Sequence, residues 1–273
     1  MKIIIIPVSY CFTWFKDSAS ERFRCNWLLP YLPADKYDGT QNLENYDVII
    51  YQKANCEKMV ELSRRYKHKI QIFDITDPDW LFEEGKFIKE IISNVNLVTA
   101  STYNLVKELK KFGKPTYKIL DGHELSFYKE KKIHNDKKPI LVWFGYADNF
   151  HRIESLIPII QDKKLELITI CEKPVIDFAR FVKWKLETVN REIIKGDIVL
   201  NLPDIHGFKS DNKTVTGWLL GMPVVERIND LFRFMNYDER VRESEQSYQY
   251  AIDNYNVKRS SQELIKIIKE IKK

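Results

Sequence analysis

Residues 197–226, DIVLNLPDIHGFKSDNKTVTGWLLGMPVVE, carry the pattern that decides the fold. DIVLNL is a short apolar run of strand length, bounded by turn residues. A polar loop follows it. A helical stretch then covers 212–220, with Ser210 or Asp211 placed to cap it and Gly221 placed to end it. PVVE opens another buried run. Strand, loop, helix and strand in that order form the repeating unit of parallel sheets.

The same alternation extends in both directions. Upstream, 2–7 (KIIIIP) is an unbroken β-branched run, as expected of a strand buried on both faces. Further strands are expected at 46–51, 69–75, 96–100, 116–120, 139–146 and 165–171. Helical patterns fall between them at 21–32, 57–66, 81–92, 103–112, 149–161 and 178–187. Gly113 and Pro115 punctuate the end of one such helix. The polar stretch 129–138 (KEKKIHNDKK) has no periodicity and reads as a linker. The fold class is therefore α/β, with two Rossmann-like domains at 1–130 and 138–250 facing each other across a cleft. Residues 251–273 form a C-terminal helix packing on the body, with Ser260 and Glu263 as a capping box. Its apolar stripe is Leu264, Ile265, Ile268 and Ile271. Lys266, Lys269, Lys272 and Lys273 lie elsewhere on it, so a basic amphipathic surface for a membrane or an anionic acceptor is the other reading.

Composition bounds the class. The chain has 273 residues, 44% hydrophobic and 30% charged, an ordinary globular balance. The net charge of +5 suits either a solvated lysine-rich surface or an anionic partner. Cys11, Cys25, Cys56 and Cys171 are scattered, with no C-x-x-C, and read as reduced thiols in a cytoplasmic protein. No run reaches the roughly 18 apolar residues of a membrane span, and 2–8 is too short for a signal peptide core. A G-x-G-x-x-G, a P-loop, a G-x-S-x-G elbow and zinc-ligand spacing are all absent, which demotes nicotinamide, Walker-type ATP and serine-hydrolase chemistry.

Ligands of open α/β sheets bind beyond the carboxyl ends of the strands. At the junction quoted above, the exposed N–H groups of the helix start, flanked by Lys209 and Lys213, make a phosphate cradle, or else a capped helix with two solvated lysines. The string K-S-D-N-K-x-x-T-x-x-x-x-G-M-P-V-V from Lys209 to Val225 resembles the donor-site segment of GT-B glycosyltransferases, especially small bacterial and phage-type members. The resemblance implies that Lys209, Asn212 and Lys213 meet the diphosphate of a nucleotide-sugar, with Thr216 deeper in the site. Many retaining members carry a pair of glutamates, and the aligned positions here are Phe208 and Thr216, so the stereochemical outcome is not implied.

Weaker similarities cover most of the chain. SASERFR at 18–24 is similar to the serine- and arginine-bearing loop that opens such enzymes, although Ser18 and Glu21 also fit a plain capping box. Arg22 and Arg24 serve the anionic donor or lie on the surface. Asp74, Asp77 and Asp79 crowd three carboxylates at a strand end, which raises at least one pKa and suits a general base; a turn with a helix cap is the alternative. His123 is a second candidate base, or a structural histidine. Gly145 stands where backbone must approach a ligand, and Arg152, one turn into the next helix, is placed to reach a phosphate.

The function implied is transfer of a sugar from a nucleoside-diphosphate sugar to an acceptor hydroxyl. The acceptor is a glycan or a hydroxylated base in phage-type DNA. The nucleotide-sugar is a co-substrate, and neither a metal nor another cofactor is expected. A catalytically silent nucleotide-sugar-binding module and an epimerase on the same fold are the alternatives.

Overall fold

The computed structural model describes residues 1–16 and 18–271, with the side chain of Glu84 left out of the description. The chain forms two compact units. One comprises Met1–Glu124, His206–Ser210 and Tyr255–Lys273, and the other Leu125–Ile205 and Asp211–Asn254.

The first unit holds a six-stranded sheet of β1 (Ile3–Pro7), β2 (Ala34–Lys36), β3 (Val48–Gln52), β4 (Ile70–Ile75), β5 (Leu97–Ala100) and β6 (Thr116–Lys118). All pairs are parallel, in the order β2-β1-β3-β4-β5-β6. Successive side chains of a strand point to opposite faces, and each face here is covered. Ile4 and Ile6 pack with Ile49, Phe73 and Val98 under the helices Glu57–Arg65, Ile88–Asn94 and Tyr103–Leu109. Ile3 and Ile5 pack on the other face with Val48, Ile50, Leu97, Cys25 and Leu28. That two-sided burial is why β1 reads as an unbroken isoleucine run.

The C-terminal helix, Val257–Ile271, closes that second face through Leu264, Ile267 and Ile268, with Ile265 and Ile271 partly buried beside them. Its apolar stripe is therefore covered by protein, which removes the membrane-surface reading. Lys266 and Lys269 are exposed, and Lys272 and Lys273 lie outside the described residues. The expected capping box is corrected. The helix starts four residues earlier, at Val257, and Asn256 accepts from the Lys258 N–H at 2.9 Å. Ser260 is an interior residue whose hydroxyl donates to the Leu120 carbonyl at 2.9 Å.

The second unit holds β7 (Leu141–Phe144), β8 (Leu167–Cys171), β9 (Arg180–Lys183), β10 (Ile198–Leu200) and β11 (Val224–Val225), all parallel, in the order β11-β10-β7-β8-β9. Leu141, Trp143, Leu167, Ile198 and Leu200 form one face of its core with Phe150, Ile153 and Ile160. On the other side the helix Asn212–Leu219 lies close against the sheet at Gly217, where a Cβ would come within 2.7 Å of Val224 Cγ2 and 3.1 Å of Val199 Cγ2.

Several element expectations change. Of 81–92 only the part from Ile88 is α-helix, running on to Asn94, and 21–32 is broken into short turns of different helical type. Residues 178–187 do not form a helix; 180–183 pair with β8 as a largely exposed edge strand, whose Arg180 and Lys183 are the charges of a protected edge. β2 escapes the periodicity reading because ADK is short and polar. The polar stretch 129–138 lacks regular structure yet is tied to its own unit. Lys132 pairs with Asp197 at 2.8 Å, and buried Arg240 donates to the carbonyl of Asn135 at 2.7 Å. Among the described residues, no helix is long and apolar enough to cross a membrane.

Candidate functional site

In the second unit the strand order reverses between β7 and β10, because β8 and β9 continue to one side while β10 and β11 continue to the other. The carboxyl ends of those two strands are where an open α/β sheet takes its ligand. Gly145 follows β7 directly, with φ +145°. A Cβ there would sit 2.5 Å from Lys213 Nζ, so glycine is what allows the lysine to lie across the strand end. The Lys213 ammonium is also 5.0 Å from the centroid of the buried Trp143 ring. Lys213 is the second residue of the helix Asn212–Leu219, so its charge adds to the positive end of the helix dipole. Asn212 opens that helix. Its Oδ1 is buried with no hydrogen-bond partner among the described residues, a cost that a polar ligand would relieve.

A hydroxyl chain continues from the same helix. Asn201, just beyond β10, donates to Thr214 Oγ1 at 2.9 Å, and Thr214 Oγ1 donates to Glu226 Oε1 at 3.0 Å. Burial raises the Glu226 carboxyl above its ordinary range, with the Thr214 hydrogen bond opposing and nearby Asp211 and Asp230 adding to the rise. Glu226 lines a pocket of about 460 Å³ together with Arg152, Leu202, Pro203 and Arg227. Arg152 lies 3.5 Å from Asp204 Oδ1. Gly145, Arg152, Asn212 and Lys213 thus all belong to the second unit, at or near the ends of β7 and β10. Thr216 lies one turn further along the helix, with its Oγ1 3.5 Å from the Tyr128 hydroxyl. Glu226 was missed by the sequence reading; its signal is a single carboxylate closing the buried run PVV.

The first unit holds a separate charged cluster at the ends of β3 and β4. Lys53, almost fully buried, follows β3 with a left-handed φ of +52°. Its ammonium donates to Asp77 Oδ2 at 2.5 Å and lies 3.0 Å from Asp79 Oδ2. Lys209 pairs with the other oxygen of Asp77 at 2.5 Å. Burial alone would raise the Asp77 carboxyl, but Lys53 and Lys209 outweigh it and hold that carboxyl well below the ordinary range. Asp79 has the opposite balance. Burial raises it, Lys53 opposes, and the Asp77 charge pushes it further up. Of the two, Asp79 is the raised carboxyl, chiefly through burial and only secondarily through the neighbouring Asp77 charge.

Other expected site residues stand in structural surroundings. Asp74 is buried, and both its oxygens meet Arg24, with the Thr99 hydroxyl donating to Oδ1 at 2.6 Å. Its carboxylate is taken up by a buried ion pair, as is the guanidinium of Arg24, which also donates to the carbonyl of Ile119 at 2.6 Å. His123 is fully buried; its ring packs 4.5 Å from that of Phe23, and its backbone bonds with Tyr255 and Val257 tie in the C-terminal helix. Neither is placed as an exposed base. Arg22 is half-buried over the Phe23 and Trp27 rings, at 5.7 and 5.9 Å. Ser18 caps the short helix Ala19–Glu21 by accepting from the Glu21 N–H at 3.3 Å. Lys209, expected with the donor-side lysine, is grouped with the first unit, because 206–210 belongs to that unit.

No family model and no curated protein sequence matches the chain. Solved structures do. Anabaena Alr3699/HepE, determined in complex with UDP, is similar over 99% of this chain and 100% of its own at TM-score 0.64 and 12% identity. The DNA-modifying enzyme β-glucosyltransferase, determined in the presence and absence of uridine diphosphoglucose, is similar over 97% and 98% at TM-score 0.59 and 12% identity. The N-terminal domain of Candida albicans trehalose-6-phosphate phosphatase follows at TM-score 0.52 and 8% identity, over 98% and 96%. The fold is therefore that of the GT-B glycosyltransferases, with two Rossmann-like units.

Proposed function

We propose that the chain is a glycosyltransferase that takes a sugar from a nucleoside-diphosphate donor to an acceptor hydroxyl. The observation that carries this reading is Lys213 lying over Gly145 at the strand-order reversal of the second sheet, on the first turn of a helix. Loss of a nucleoside diphosphate develops negative charge on the leaving oxygen. A preorganised ammonium and helix N–H groups stabilise that charge without reorganising. Glu226 is suited to accept hydrogen bonds from the vicinal hydroxyls of a ribose, the role a carboxylate plays in nucleotide-binding α/β folds. That UDP accompanies one structural neighbour and uridine diphosphoglucose another supports a uridine donor.

In the first unit, Asp79 is the proposed base toward the acceptor hydroxyl, since its raised pKa makes it the stronger proton acceptor of the cluster. The active form is the ionised carboxylate, so activity falls as pH drops through its raised pKa. Asp79→Asn is expected to lower kcat by about 100-fold or more, to leave the donor KM within about twofold and to remove that acid limb. A retained pH profile and rate would exclude Asp79.

The donor is tested directly by thermal unfolding with UDP-, GDP- and other nucleotide-sugars. At saturating concentration the cognate donor should raise Tm by about 5 °C or more. No shift with any of them, together with no release of nucleoside diphosphate, would end the assignment. The acceptor is proposed to be a glycan or a hydroxylated base in DNA, and salt-sensitive retention on DNA selects the second. An epimerase would release a rearranged sugar without any acceptor, which the same incubations report.

A further inference from the structure

Two thiols meet beside the first sheet, and neither the donor chemistry nor the acceptor base uses them. β1 and β3 pair in register, Ile3 against Val48 and Pro7 against Gln52, an offset of 45 residues. The same offset separates Cys11 from Cys56. Each cysteine follows the end of its strand by four residues, so the register that aligns the strands also aligns the thiols. Their Sγ atoms are 2.8 Å apart, and both residues are half-buried. Cys25 and Cys171, by contrast, are fully buried in the two cores.

The two sulfurs differ in their surroundings. Cys56 occupies the N-cap of the nine-residue helix Glu57–Arg65, facing the positive end of that helix. The hydrogen bond from Cys11 pulls its thiol down to about 6 against the effect of burial, with help from the N–H groups of Met59 and Lys58 and from the Lys58 ammonium. Cys11 is pushed upward by the same hydrogen bond and by burial. Lys58 is held nearby by the Tyr10 hydroxyl, with its ammonium 4.8 Å from the Tyr10 ring centroid.

We infer that Cys11 and Cys56 form a redox-active dithiol that closes reversibly to a disulfide by exchange with a low-molecular-weight disulfide. The Cys56 thiolate attacks one sulfur of the oxidant and expels the other as a thiolate, leaving a mixed disulfide on Cys56. Cys11 then gives up its proton to solvent and attacks Cys56 Sγ, expelling the second small thiol. The sum is one protein dithiol and one small disulfide in, one protein disulfide and two small thiols out. The bond fastens the segment after β1 to the start of the helix after β3, within the unit that holds Lys53, Asp77 and Asp79.

The test treats the native, folded protein with oxidised glutathione, blocks remaining thiols by alkylation and maps the peptides by mass. The expected product has lost two hydrogens, carries a Cys11–Cys56 cross-linked peptide, has no other disulfide, and returns to the dithiol with dithiothreitol. In Cys11→Ala the glutathione adduct on Cys56 should persist, whereas Cys56→Ala should acquire adduct at least tenfold more slowly. The pH at which iodoacetamide alkylates Cys56 at half its limiting rate should lie near 6 in the native protein and rise in Cys11→Ala. Full alkylation of both thiols after oxidant, or a disulfide linking other cysteines, would overturn the inference. Equal reactivity of Cys11 in Cys56→Ala would do so as well.

Discussion

Lys213→Ala is expected to lower the rate of sugar transfer by about 100- to 1000-fold, the cost of removing one preorganised donor from a developing anion. Its loss is expected to act on departure of the leaving group. Its neighbours on the helix Asn212–Leu219, Thr214 and Val215, are buried and keep the helix in place. The free energy of unfolding should therefore stay within about 0.5 kcal/mol of the native protein, the usual range for changes away from core contacts. Gly145→Ala reaches the same group from the other side. The new methyl would occupy the space of the Lys213 ammonium at a backbone φ that side chains rarely adopt, so it should displace the lysine and slow transfer in the same direction. Steady-state kinetics with the donor found by thermal shift check both variants, and native rates in Lys213→Ala would sink the donor-site assignment.

The second large effect is on stability. Arg24 is buried between Asp74 and Asp121, both buried too, and donates to the carbonyls of Ile119 and Leu120. Arg24→Ala takes the buried counter-charge away from both carboxylates and removes the Arg24 donor from the Ile119 carbonyl. Breaking a buried ion pair from one side costs about 3–5 kcal/mol, a large part of the roughly 5–15 kcal/mol that holds a domain together. Urea unfolding should show that loss as a lower midpoint with an unchanged slope. Arg24→Met combined with Asp74→Leu should recover part of it, because one of the two buried carboxylates that faced Arg24 is gone. A single variant as stable as the native chain would show that the pair does not hold this unit.

The legible part of the fold followed from periodicity. Residues 2–7 announced a strand covered on both faces, and 212–220 announced the helix on which Lys213 sits. Where the prediction failed, local pattern and tertiary pairing disagreed. Residues 178–187 have aromatic and charged side chains compatible with a helix, yet β8 offers an open edge and the segment pairs there. The polar stretch 129–138 looked like a free linker because its anchors, Asp197 and Arg240, are remote in sequence.

The site divides in the same way. That Gly145 follows a strand and that Lys213 stands on the first turn of a helix were readable because strand ends and helix starts can be read locally. Which carboxylate has its pKa raised was not readable. Asp74, Asp77 and Asp79 are alike in sequence; they differ because Arg24, Lys53 and Lys209 come to them from elsewhere in the chain. The pairing of Cys11 with Cys56 likewise waits on the β1–β3 register. Side-chain type and spacing determine which elements form and which faces they bury, since those depend on neighbours a few residues away. Charge balance and thiol proximity depend on groups brought together across many residues, and only the folded chain sets those distances.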